Sequence, residues 1–147
     1  SALAGYTRQS PLQIAALVDA SRDPNDTVRN NATRALAVLA ATPELAGQIP
    51  PRPFIEKLNS SVWSDRNKGL MLLVFLTRDR NPEILAALKK AALPALMEMA
   101  QWQNPGHAAG PIRILGRIAG MDERELDKLA ESGNADAVLA AVRKQPK

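Results

Sequence analysis

The chain has 147 residues, is 46% hydrophobic but only 3% aromatic, and carries a formal net charge of +4. The lack of cysteine excludes disulfides and thiolate sites, and a single histidine excludes a multi-histidine metal centre. No apolar run reaches the roughly 18 residues of a membrane-spanning helix, and the modest positive charge is well short of an obvious nucleic-acid footprint.

Ala and Leu, both strong helix formers, dominate, and few stretches alternate as strands do. The first helix is expected over 11–21, with Ser10 as cap, Pro11 in the first turn and Gln13 completing a capping box. A turn containing Asp23, Asn25 and Asp26 leads into a second helix over 27–41. It lacks the glycine and closing glutamate of a calcium-binding loop, so it reads as turn chemistry. Thr42-Pro43 opens a short turn to Gly47, and Gln48-Ile-Pro-Pro-Arg-Pro53 is a stiff connector too short to separate domains. Helices follow over 53–59 and 64–78. The second contains Leu70-Met-Leu-Leu-Val-Phe-Leu76, apolar nearly all round, as in a helix buried on several sides. Asn81-Pro82 opens a helix over 82–91, and Pro94 separates it from 92–101 unless it kinks one longer helix. Asn104-Pro105 precedes 107–119, where Pro111 poses the same choice. Asp122 with Glu125 forms a capping box for 122–131, and 135–144 is last. Gly120 and Gly133 suit left-handed helix ends.

One plan, a turn followed by an amphipathic helix, occurs three times. Asp23 to Ala40 is the first copy, Asn59 to Leu76 the second, and Asn104 to Ala119 a looser third. Ala32, Leu36 and Leu39 align with Gly69, Leu73 and Leu76, and then with Pro111, Leu115 and Ile118. The first step is 37 residues and the second 42. An apolar stretch before each copy supplies a partner helix. A helix pair of this kind cannot bury its apolar face alone and must stack on its neighbour.

Leu93-Pro-Ala-Leu-Met-Glu-Met-Ala100 resembles the first helix of a HEAT repeat. Asp23 to Leu39, with its Val28-Arg29 pair, resembles the turn and second helix. The chain is therefore identified as similar to the HEAT-repeat (armadillo-type) α-solenoids, including bacterial HEAT-like proteins. The resemblance implies a single all-α domain, 1–147, built as a right-handed α-α superhelix. It would be a short solenoid of about three helix pairs, at 10–41, 50–79 and 82–120, with a C-terminal helical cap at 121–147. It also implies that the second helices line a concave face. Arg34, Lys68, Arg113 and Arg117 would then form a basic strip on that face. Arg29 and Arg66 fall where such repeats carry an arginine that pairs neighbouring repeats.

Two tryptophans, Trp63 and Trp102, lie in or before the turns between paired helices. With Met71 they are candidate interface anchors, since a partly exposed tryptophan is a frequent hot spot. His107, near Gly106 and Gly110, reads as a residue of a helix start. No phosphate-cradling loop, metal-ligand set or cofactor motif is present, and neither a cofactor nor a catalytic residue is expected. The expected function is a non-catalytic protein–protein interaction or scaffold module whose partner is another protein. The first alternative is a nucleic-acid binder using the basic strip. The second is an enzyme using Asp65 with Trp63, on a remote likeness to HEAT-like DNA glycosylases. The chain opens on Ser1, not Met, so the compartment stays open: cytoplasmic by default, with export compatible.

Overall fold

The computed structural model describes residues 2–146, with side chains from Ser10 onward. Among the described residues there are nine helices and no strand. They are α1 (Ala2–Ala20), α2 (Asp26–Ala40), α3 (Pro43–Ala46), α4 (Arg52–Lys57), α5 (Trp63–Leu76), α6 (Pro82–Ala100), α7 (Pro105–Ile118), α8 (Glu123–Ser132) and α9 (Asp136–Arg143). Three pairs pack internally: α1 on α2, α4 on α5, and α6 on α7. The pairs join through their second helices, α2 on α5 and α5 on α7, and through α4 on α6. Helices α8 and α9 both pack on α7 and close that end.

The repeat register explains this stacking. Leu36, Leu73 and Leu115 are fully buried, each at the same position of its second helix. The preceding small position, Ala32, Gly69 and Pro111, is buried in all three. At Gly69 the reason is direct. A Cβ there would stand 3.0 Å from Lys57 Cβ and 3.1 Å from the Phe54 carbonyl oxygen, so only glycine lets α5 lie this close to α4. Helix α5 touches α2, α4 and α7, which is why its sequence is apolar nearly all round.

Helix starts follow the cap chemistry in part. Asn25 accepts from Val28 N–H, Asn81 from Glu83 and Ile84, Asn104 from Gly106, and Asp122 from Arg124. Gly133 ends α8 with a φ of 68°. Two expectations are corrected. Ser10 does not cap a helix, because α1 runs through Pro11 from Ala2. The helices expected at 82–91 and 92–101 are one, α6, with Pro94 inside it. Leu88, Ala92, Leu96 and Met99 make one buried stripe across that point, while Pro94 faces solvent. Tertiary burial thus overrides the local break, and Asn59 Nδ2 donates to the nearby Ala91 carbonyl oxygen at 2.9 Å. Helix α7 likewise starts at Pro105 and continues through Pro111.

A recurring polar device ties successive pairs. Arg78 donates to the Ala41 carbonyl oxygen at 3.3 Å, Arg117 to that of Val74 at 2.7 Å, and Gln145 to that of Ile118 at 2.9 Å. Each side chain reaches back to the C-terminal end of the preceding second helix, where carbonyls lack helical partners. For the two arginines the helix dipole adds to the attraction.

Candidate functional site

Trp63 is the first residue of α5, Trp102 follows α6, and His107 lies in the first turn of α7. The pair stacking brings all three to one end of the molecule. The two indoles are 6.3 Å apart, and the His107 ring meets Trp63 edge-on at 5.0 Å. The Arg66 guanidinium stands over Trp102, 5.4 Å from the ring centre. It lies 3.7 Å from Glu98, the loosest ion pair of the region. Trp63 remains 46% exposed and Trp102 is half-buried.

From this cluster a groove of about 230 Å³ runs between α5 and α7. Asn67 and Met71 extend the Trp63 stripe at helical spacing, and Leu70, Val74 and Phe75 form the apolar floor. Opposite them α7 presents Gly106 and Gly110. A Cβ on Gly110 would come within 3.1 Å of Leu70 and 3.4 Å of Val74, so the glycine permits the close crossing beside the groove. Met71 is 41% exposed, the one strongly exposed residue of the Leu70–Leu76 run. A larger hollow, about 500 Å³, lies between α4 and α6. Its rim mixes Arg52 and Lys90 with Glu56 and Glu83, and it has no aromatic side chain.

The expected basic strip is only partly there. Arg117 is buried: its Nε donates to Glu123 at 2.7 Å and its Nη1 to Thr77 Oγ1 at 2.9 Å as well as to Val74. It is a structural cation, a correction with a plain cause: α8 follows at once and covers that turn of α7. Glu123 also accepts from Arg80 at 3.1 Å. The hydrogen bond from Arg117 holds the Glu123 carboxyl below its usual range. Arg80 itself sits at φ 56°, a left-handed turn held by bonds to Glu123 and to the Met121 carbonyl. Nothing in the sequence marked Glu123 beyond its place in a helix start. Arg113 is half-buried and paired with Asp127, Lys68 is half-buried, and Arg34 is exposed.

Asp65 is buried and receives Arg29 Nε at 2.7 Å, while Arg29 Nη1 donates to the Asp23 and Pro24 carbonyls. The Asp65 hydrogen bond pushes the Arg29 pKa up. This carboxylate is engaged in joining α2 to α5, which leaves it poorly placed for an enzymatic role with Trp63. Nearby Lys57 Nζ donates to the Ser21 carbonyl at 2.7 Å, and burial lowers its pKa. Among the described residues no His107 hydrogen bond to a carboxylate occurs, and no cluster of His, Asp or Glu is arranged to hold a metal ion. None of the described helices is long and apolar enough to cross a membrane. No protein-family model matches the chain, and no curated protein matches it either.

Proposed function

We propose that the protein is a non-catalytic interaction module of the HEAT-like helical-repeat kind. It would present the face made by α2, α5 and α7, concave in such a solenoid, to another protein. The observation that carries this reading is the exposed Trp63–Met71 stripe beside the groove of α5 and α7. A tryptophan and a methionine left in solvent on a rigid scaffold supply large apolar contact area and an adaptable one, as interface anchors do.

A photo-crosslinking amino acid at position 71, compared with one at exposed position 87 on α6, tests this. Capture of a discrete protein from position 71 and not from 87 supports the face. Equal capture at both positions, or none at 71, contradicts it. The nucleic-acid reading is weaker, because Arg117 is buried and Arg113 is paired. Anisotropy of labelled single- and double-stranded oligonucleotides across salt decides it. Tight binding with a log–log salt slope of about −3 or steeper would favour phosphates.

A further inference from the structure

The repeat register places one more position in common. Arg34, Met71 and Arg113 are separated by the same 37- and 42-residue steps that align the buried leucines. All three stand on the solvent side of their helices: Arg34 and Met71 exposed, Arg113 partly so. Successive second helices therefore offer a cation, a thioether and a cation. Lys68 is one turn before Met71 on α5 and adds charge on the same side. No Asp or Glu lines the groove beside Met71, whose polar members are Asn67, His107 and Arg113. Arg78 lies against the Phe75 ring at 5.9 Å but outside the groove, in an adjoining hollow that also holds Asp79 and Glu83. The carboxylate of Asp127 is turned onto Arg113 from α8.

We propose that this row is the docking site for a peptide segment of a partner protein in which an apolar side chain is flanked by acidic ones. The proposal rests on the interaction-module reading and names the partner's chemistry. The apolar side chain seats against Met71 and the floor of Leu70, Val74 and Phe75, where a flexible thioether adapts to its shape. The flanking carboxylates meet Arg34 and Lys68 on one side and Arg113 on the other, arginine accepting them two-pronged. Asp127 is an internal competitor: it occupies Arg113 in the free protein and is displaced or shared on binding. A partner with basic flanks meets repulsion on both sides and gains no such exchange.

The test is selection of short random peptides on the full chain, followed by affinity measurement of the winners by fluorescence anisotropy. The winners are expected to place Asp or Glu around Leu, Ile or Phe. Met71→Glu should weaken them about tenfold or more, as loss of an anchor does. Arg113→Gln should weaken them about threefold and Asp127→Asn should tighten them about threefold, the scale of one partly screened charge. All three positions are at least partly exposed, and circular dichroism melts of each variant establish that it is folded. Winners with basic or uncharged flanks, or no tightening in Asp127→Asn, overturn the acidic pattern. If Met71→Glu still abolishes their binding, the interaction face survives that loss. Recovery of no peptide, or binding indifferent to Met71→Glu, overturns both. Labelled oligo-dT binding lost in Arg34→Gln and Arg113→Gln but kept in Met71→Leu would assign the cations to nucleic acid and overturn the proposal too.

Discussion

Arg113 and Arg117 stand four residues apart on one helix, and their sequence spacing makes them look equivalent. Their surroundings separate them: Arg113 borders solvent, whereas Arg117 is 6% exposed among Glu123, Thr77 and the Val74 carbonyl. Arg117→Ala is expected to cost about 3 kcal/mol, because it strips a buried network of its cation. Arg34→Ala should cost under about 0.5 kcal/mol. Urea unfolding compares the two. Glu123 carries the pH dependence. Its carboxyl pKa is lowered in the folded protein by Arg117 and then Arg80, so the unfolded chain binds the proton more readily. The stabilisation is present above the unfolded value of about 4.3 and fades as pH falls through the lower folded value. Glu123→Gln should therefore be less stable than the parent at neutral pH, and the gap should close on acidification. A gap independent of pH would remove Glu123 from this role. Gly116 tests packing at the same junction. A Cβ there would lie 2.9 Å from Leu126 Cγ, and Leu126 is fully buried, so Gly116→Ala should cost about 1–3 kcal/mol by overpacking.

At the scale of the element, helix type was legible and helix ends were less so. The second helices were readable because their small and large apolar positions repeat with the packing they serve: Ala32 and Leu36, Gly69 and Leu73, Pro111 and Leu115. The prolines misled because the local rule and the tertiary outcome conflict. Pro94 removes one backbone donor, yet the buried stripe from Leu88 to Met99 is continuous only if α6 is. Asn59 donates to the Ala91 carbonyl, next to the Lys90 carbonyl that Pro94 leaves without its helical donor. Asn59→Ala should destabilise by about 1 kcal/mol, the worth of one hydrogen bond. In a Pro94→Ala background that cost should stay about the same, because the restored N–H serves the Lys90 carbonyl and not that of Ala91. A double-mutant cycle in urea measures the coupling, and a large coupling would mean that Asn59 does compensate for Pro94.

Over the whole molecule, three side chains hold the C-terminal ends of successive second helices, and the Arg29–Asp65 pair holds two of their starts. These ties go with the register in which Arg34, Met71 and Arg113 hold equivalent positions on successive second helices. The row was within reach of the sequence, since it sits at a constant offset from the aligned cores. Spacing within one helix pointed to Arg117 instead, because the covering by α8 is a long-range fact that no local pattern carries. Trp63 and Met71 stood out in the sequence by residue type, and the fold leaves both exposed. The groove beside them was not legible, because it depends on how closely α7 crosses α5 at Gly110.

The central claim is that the face of α2, α5 and α7 receives a protein segment. Its most direct test is backbone amide mapping of the ¹⁵N-labelled chain titrated with a selected acidic peptide. Shifts concentrated at Asn67, Met71, Gly106, Gly110 and Arg113, with none along Ile55, Ile84 and Ala87, are the predicted result. Shifts centred between α4 and α6, or spread without a focus, would contradict it.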